Sequence, residues 1–237
     1  MRPGARPHAG AVSGPDAVAI VAAHDEEEAI ARTVKRLAAM PGVREVVVVA
    51  DGCRDRTVGE AAGAGARVLA TSVRRGKGSA VEGALDRVEP AAVYVLVDGD
   101  VGDTAGEAAA LLASIRSGRV DIAIGMLPPL EGGGFGVVRR LSGWLIQGVT
   151  GLRAQAPLSG QRALTREALF ACRPLANGFG LETAMTIDAA RLGLRIEEVP
   201  VEMGHRPTGR SLRGFAHRGR QGVDVLRAVA PRALRFR

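Results

Sequence analysis

The sequence predicts an α/β fold, an open and mainly parallel sheet flanked by helices on both faces. Two observations lead there. In the first half, short runs rich in Val, Ile, Leu and Ala alternate about five times with segments of helical spacing. The runs are apolar nearly throughout, as strands buried on both faces are. Two of them end in acids, Asp51 and Asp98, which puts carboxylates at the carboxyl edge of the sheet, where open α/β sheets bind ligands.

The first strand is predicted over Ala17 to Ala23, followed by His24-Asp25-Glu26-Glu27-Glu28. These acids are expected in the first turn of a helix reaching about Met40, where the macrodipole favours them, and Pro41-Gly42 stops it. A dinucleotide-binding fold would place Gly-x-Gly-x-x-Gly at this junction, and the chain has acids instead. Val43 to Ala50 forms the second strand and delivers Asp51-Gly52-Cys53-Arg54-Asp55. A helix over Arg54 to Ala64 and a short strand over Arg67 to Ala70 follow. Arg74-Arg75-Gly76-Lys77-Gly78-Ser79 is a basic, glycine-flanked loop. It lacks the Walker spacing but could cradle phosphates with Lys77 and the amides that open a helix over Ser79 to Val88.

Tyr94-Val95-Leu96-Val97 runs straight into Asp98-Gly99-Asp100. Paired carboxylates at a strand end suit a hard divalent cation such as Mg²⁺ or Mn²⁺, and Gly99 permits a sharp turn and close approach of a ligand. A helix over Ala105 to Ser117 and a strand over Asp121 to Met126 complete the alternation.

The second half changes character. A glycine-rich loop (Leu130 to Gly136, with Gly133 and Gly134) leads into a helix bearing Val138, Leu141, Leu145, Val149 and Leu152, with Trp144 expected in the core or lining a groove. Pro157 to Ala163 reads as a turn into a short strand, and Thr165 to Cys172 as a short helix. Leu181-Glu182-Thr183 opens a helix reaching Leu192, with Glu182 in its first turn, and Arg195 to Met203 is a final strand ending near His205-Arg206. The domain is expected over 16–204, after a disordered leader (1–15) and before an Arg-rich helical tail (205–237) that completes the site.

The chain has 237 residues, a net charge of +7 and two cysteines. Two cysteines are too few for a disulfide framework or a zinc cluster, so Cys53 and Cys172 read as small packed residues and a cytoplasmic setting is expected. No apolar run approaches the roughly 18 residues of a membrane span. The tail carries nine arginines against Asp224. It reads as a solvated helix, as a peripheral contact with the anionic inner face of a membrane through Leu212, Phe215, Val223, Leu226 and Val229, or as a funnel for an acceptor phosphate. Aromatics make up 3% of the chain, which argues against a nucleic-acid partner.

Taken in order, Asp25-Glu26-Glu27, Ala50 to Asp55, Gly76-Lys77-Gly78, Asp98-Gly99-Asp100, Pro157 to Arg162, Gly178 to Glu182 and His205 resemble the GT-A glycosyltransferases of family 2 type, which include polyprenyl-phosphate sugar transferases. The second half is also similar to glucosyl-3-phosphoglycerate synthases. The resemblance covers Ala17 to Leu226. It implies a GT-A, Rossmann-like fold and a metal-dependent transfer of sugar from a UDP- or GDP-sugar to a phosphorylated or lipid-phosphate acceptor. Asp100 would bind Mg²⁺ or Mn²⁺ together with His205. Ala23, Asp25, Glu26, Asp51, Lys77, Asp98 and Gly99 would contact the donor. Gly133, Gly134, Ser159, Gly160, Arg162 and Arg206 would meet the acceptor or phosphates, and Glu182 would be the catalytic base or an acceptor-positioning group. A homodimer is a further expectation.

The chain departs from the family pattern at Ala22 (often proline), Ala50 (often a second acid) and Ala156 (often an acid). Singly, each motif also has a plainer reading. Glu26 to Glu28 could only start a helix, Asp51 could close a turn with Gly52, and Lys77 could be solvated. His205 could be an ordinary exposed histidine, Glu182 could be a dipole-compensating acid, and His24 reads as structural or peripheral. The alternative for the whole chain is a non-catalytic basic protein that keeps the fold and binds nucleic acid or anionic surfaces.

Overall fold

The computed structural model describes residues 16–128, 135–204 and 223–232. They form a seven-stranded sheet in the order β3-β2-β1-β4-β6-β5-β7. The strands are β1 (Ala17–Ala23), β2 (Val43–Asp51), β3 (Arg67–Thr71), β4 (Val93–Asp98), β5 (Ile122–Met126), β6 (Arg162–Thr165) and β7 (Ile196–Pro200). All pairings are parallel except those of β6, which runs antiparallel to both β4 and β5. The helices are α1 (Ile30–Ala38), α2 (Thr57–Gly63), α3 (Lys77–Leu85), α4 (Ala108–Arg116), α5 (Phe135–Thr150), α6 (Arg166–Ala171) and α7 (Leu181–Arg191). A further helix, α8, spans 223–232.

The period-two alternation of β1 sorts its side chains into two cores. Ala17, Ala19, Val21 and Ala23 face a cluster with Ile30, Val34 and Leu37 of α1 and Leu111, Leu112 and Ile115 of α4. Val18 and Ile20 face the opposite cluster, with Val81 and Leu85 of α3, Leu169 of α6 and Met185 of α7. A third cluster joins Val138 and Ile146 of α5, Ile187 of α7, and Val225 and Val229 of α8. α7 is therefore buried on nearly every side, between the sheet and the α5–α8 pair.

All five first-half strands, β1 to β5, lie where the apolar runs predict them, with end shifts of a residue or so. The acids after β1 do not load the first turn of α1. That turn holds no acid, because the chain makes a separate turn over residues 27–29 before α1 begins. The predicted 105–117 helix is a 3-10 segment over Gly99–Glu107, kinked at Gly102 (φ +63°), followed by α4. Of the two places expected for Trp144, the structure gives the groove and not the core. Trp144 is 81% exposed on the outer side of α5, beside Val137, Arg140 and Arg153. In the tail, Val229 is buried rather than available to a membrane, while Val223 and Leu226 remain exposed. The leader and most of the tail lie outside the described residues.

Leu111 is fully buried beneath the sheet. Leu111→Ala should therefore cost about 2–5 kcal/mol in chemical denaturation, as core leucine truncations do. A loss well under about 1 kcal/mol would show that α4 does not pack there.

Candidate active site

Strand order reverses around β1, whose neighbours are β2 on one side and β4 on the other. The crevice outside the carboxyl ends of these strands is where an open α/β sheet receives ligands. Asp98 closes β4 at this edge, and β6 explains what joins it. Because β6 is antiparallel to β4, with Arg162 opposite Leu96, the residues preceding Arg162 continue past the end of β4. Gln161 thereby reaches Asp98: its amide Nε2 donates to Asp98 Oδ2 (2.9 Å), and its Oε1 accepts from the Asp98 backbone N–H (3.2 Å).

Lys77, the first residue of α3, stands between two carboxylates. Its Nζ donates to Asp98 Oδ1 at 2.5 Å and to Glu182 Oε1 at 2.8 Å. Glu182 is 7% exposed and lies in the first turn of α7. One ammonium thus links β4, α3 and α7. Burial alone would lower the Lys77 pKa, but the charges of Asp98 and Glu182 outweigh it, and the net value is raised above the usual 10.5. Gly160 is tied to this arrangement. A Cβ there would lie 2.3 Å from Lys77 Nζ and 2.5 Å from Asp98 Oδ2, so the ion pair fits only because position 160 has no side chain.

The turn carrying Asp98-Gly99-Asp100 is held from α1. Buried Thr33 donates its hydroxyl to Gly99 O (3.0 Å) and accepts from Gly102 N (2.8 Å). Gly99 is needed for packing, since a Cβ would come within 3.0 Å of Ala23 Cβ at the end of β1. Asp100 is partly exposed in the first turn of the 3-10 segment.

The loop before Lys77 is organised by Asp51, which is 5% exposed. Its carboxylate accepts from the backbone N–H groups of Arg75 (2.8 Å) and Gly76 (2.7 Å). Asn177 lies over the start of α3. Its Nδ2 donates to Arg75 O (2.8 Å), and its Oδ1 accepts from Ser79 N and Gly178 N. A Cβ at Gly78 would lie 1.9 Å from Ala176 O. Of the amides expected to cradle phosphate, those of Arg75, Gly76 and Ser79 are thus taken by Asp51 and Asn177, while the Lys77 side chain reaches the crevice at Asp98 and Glu182.

Arg162 is also not presented to a phosphate. It is 1% exposed, with Nε donating to Ser159 O (2.9 Å) and Nη1 to Thr186 Oγ1 (3.1 Å). Burial pushes its pKa down, and the Glu182 charge opposes that. Its buried Nη2 has no hydrogen-bond partner. Arg162 therefore stiffens the floor under Glu182. Ser159 is 7% exposed, and its hydroxyl accepts from Gln161 N. Glu198 of β7 anchors the approach to this turn by accepting from Gln155 N and Ala156 N.

Between β1 and α1, the acids grip the loop after β2. Asp25 Oδ1 accepts from Arg54 N (2.7 Å), and Glu27 Oε2 accepts from Arg56 N (3.1 Å). Glu26 N donates to Thr57 Oγ1 (2.8 Å) and Glu27 N to Asp55 Oδ2 (3.0 Å). Ala23 ends β1 at the same edge.

The described residues thus bring together Lys77, Asp98, Gly160 and Glu182, with Asp100 on the turn beside Asp98 and Ala23. Gly133, Gly134, His205 and Arg206 lie outside the described residues. Sequence reasoning assigned no role to Gln161, Thr33 or Asn177. Gln161 stood inside a quoted motif, and only the antiparallel direction of β6 reveals its partner. No local pattern marks Thr33 or Asn177, whose partners are 66 and 102 residues away.

Replacing Lys77 with methionine should cost about 1–3 kcal/mol at neutral pH. That is short of the loss for a fully buried pair, because the Lys77 side chain keeps 24% exposure. Since the folded pKa is raised, the stabilisation is complete below the ordinary value of 10.5 and fades as pH rises towards the folded value. Denaturation of wild type and variant between neutral pH and pH above 10.5 checks this. A gap that stays constant or widens contradicts it.

Comparison with known proteins agrees with this geometry. Residues 18–169 match the family model for glycosyl transferase family 2. Glycosyltransferase AglJ of Haloferax volcanii is 30% identical over 200 residues, covering 82% of this chain and 65% of the relative, so the chain spans about two thirds of that protein's length. An uncharacterized glycosyltransferase of Mycobacterium tuberculosis is 30% identical over 201 residues, covering 83% of this chain and 89% of the relative. Among solved structures, glucosyl-3-phosphoglycerate synthase from Mycobacterium tuberculosis with phosphoglyceric acid superposes with a TM-score of 0.77 at 26% identity, over 91% of this chain and 80% of that one. The same enzyme with Mn²⁺, UDP-glucose and phosphoglyceric acid gives a TM-score of 0.76 at 26% identity, with the same coverage of 91% and 80%. By its sheet, its strand-end carboxylates and these matches, the chain belongs to glycosyl transferase family 2.

Proposed function

We propose that this chain transfers a sugar from a nucleoside-diphosphate donor, a UDP-sugar foremost, to an acceptor bearing a phosphate. The observation that carries this reading is the Lys77 bridge between Asp98 and Glu182, which couples the strand end expected to hold the donor to the helix start expected to face the acceptor.

The donor set of the Asp-Gly-Asp turn fits Mn²⁺ or Mg²⁺, which take oxygen ligands. Asp98 is held by Lys77 and Gln161, and in this reading, following the family resemblance, Asp100 is the direct ligand. His205 is the second ligand in this reading. Its support is that Gly204 N donates to Thr104 Oγ1 (3.0 Å), in the same 3-10 segment as Asp100. When bound, the ion offsets charge on the leaving nucleoside diphosphate. Lys77 can add its ammonium to the donor phosphates while Asp98 fixes its position. Glu182, one oxygen held by Lys77, would accept the proton of an acceptor hydroxyl or orient the acceptor through the other. Ala23, Asp25, Glu26 and Asp51 would border the nucleotide through the loops they organise.

A small phosphorylated acceptor is preferred, because solved neighbours include complexes with phosphoglyceric acid. A lipid phosphate draws on the exposed Trp144 and Val137 beside Arg140 and Arg153. None of the described helices is long and apolar enough to cross a membrane, so such an acceptor would be met at a surface.

A thermal-shift panel of UDP- and GDP-sugars with and without Mn²⁺ tests this reading. A donor at 100 times its Kd should stabilise the fold by about 2.7 kcal/mol. Asp100→Ala should abolish the metal-dependent part of the shift. No shift with any donor, together with salt-sensitive DNA binding, would favour the basic-binder alternative. Incubation of the shifting donor with 3-phosphoglycerate or a polyprenyl phosphate then separates the acceptor classes.

A further inference from the structure

A second cluster of ligand-type side chains lies along the same edge, apart from Lys77, Asp98, Asp100 and Glu182 and sharing Asp25 with the proposed nucleotide border. His24 and Asp25 follow β1, and Cys53 follows β2. One ligand atom from each (an imidazole nitrogen, a carboxylate oxygen and the thiol sulfur) lies within 4.8 Å of the other two. The cluster mixes nitrogen, oxygen and sulfur, whereas the Asp-Gly-Asp turn offers oxygen. Each member has a feature expected of a ligand.

His24 Nδ1 lies 2.7 Å from the carbonyl oxygen of Asp51. A carbonyl can only accept, so Nδ1 carries a proton and Nε2 is the ring nitrogen left to offer a lone pair to a metal. Metal-binding histidines are oriented by this kind of second contact. Asp25 has a φ of +56°, the only positive φ at a non-glycine among the described residues. Side chains held in that region concentrate at functional sites. Its Oδ1 is engaged by Arg54 N, while Oδ2 turns towards His24 Nε2 at 3.6 Å. Cys53 is half-buried; its Sγ lies 3.5 Å from Ala23 O and also meets the Thr57 side chain and the Asp25 backbone, so the thiol faces the loop that Asp25 organises. Zinc with bonds of about 2.0–2.3 Å keeps its ligand atoms about 3.3–3.8 Å apart, so small side-chain adjustments suffice.

We infer that His24 Nε2, Asp25 Oδ2 and Cys53 Sγ form a binding site for a borderline-soft divalent cation of the zinc class, separate from the proposed Mn²⁺ or Mg²⁺ position at Asp100. The ion fills three positions with protein ligands and takes water as the fourth. As the zinc–sulfur bond forms, the Cys53 thiol releases its proton to buffer and the carboxylate and imidazole keep their protonation. The site clamps the β1–α1 turn to the β2–α2 loop, adding to the hydrogen bonds that already join them.

The test uses tag-free full-length protein stripped of metal, in excess Mg²⁺ so that oxygen-only sites are filled. Zn²⁺ is titrated by calorimetry, and Co²⁺ is followed by its near-ultraviolet sulfur-to-metal charge-transfer band. The expected result is one tight ion per chain and a band that disappears in Cys53→Ser and persists in Cys172→Ala. Loss of an orienting group alone weakens metal affinity about 10–100-fold. Cys53→Ser, His24→Gln and Asp25→Asn should each weaken Zn²⁺ by at least about 10-fold. Asparagine tolerates positive φ and keeps the acceptor for Arg54, so Asp25→Asn isolates the lost ligand charge from any backbone effect. Circular dichroism of each variant confirms folding. Absence of stoichiometric Zn²⁺ binding, or a Co²⁺ band that survives Cys53→Ser, overturns the assignment.

Discussion

The arrangement of the candidate site depends on one ammonium between two carboxylates. Asp98 arrives on β4 and Glu182 on α7, and Lys77 reaches both from the first residue of α3. Without the cation, two partly or largely buried acids would stand near one another with no charge between them. The surroundings serve this contact: Gly160 leaves room for it, Gln161 fixes Asp98 from a second side, and the encased α7 gives Glu182 little freedom. Arg162 adds positive charge beneath Glu182 without reaching the crevice.

A second constraint concerns backbone amides. Glycine-flanked basic loops at helix starts commonly bind anions. Here Asp51 and Asn177 supply the acceptors from within the chain. The loop is thereby set before any donor arrives, and Lys77 is held at the strand end by Asp98 and Glu182. The acids after β1 work in the same way, gripping the amides of Arg54 and Arg56 rather than capping α1. Acidic side chains that read as helix dipole partners or as direct donor ligands are first of all loop organisers.

Much of the architecture was legible because buried parallel strands are apolar without interruption, and β1, β2 and β4 offer little else to read. The site was legible where residues end a strand or open a helix, as Asp98, Lys77 and Glu182 do. It was illegible where it depends on strand direction or on distant partners. Gln161 gains its role only because β6 is antiparallel, and Arg162 is drawn into the floor by the same geometry. Spacing alone left Trp144 between the core and a groove, because it stands next to the buried stripe of α5; its side chain faces outward and lines a groove. Two cysteines predict no metal cluster by count. The His24–Asp25–Cys53 grouping arises because parallel β1 and β2 end side by side, with Ala23 opposite Ala50.

The central claim is that the Asp-Gly-Asp turn and the Lys77 bridge together receive the diphosphate of a nucleotide-sugar. A crystal structure of the chain with Mn²⁺ and UDP, with anomalous data collected at the manganese edge, tests it most directly. The account predicts an anomalous peak bonded to Asp100 and to diphosphate oxygens, with Lys77 within ion-pair reach of a phosphate. UDP bound away from the ends of β1 and β4, or bound there with no manganese at Asp100, would contradict it.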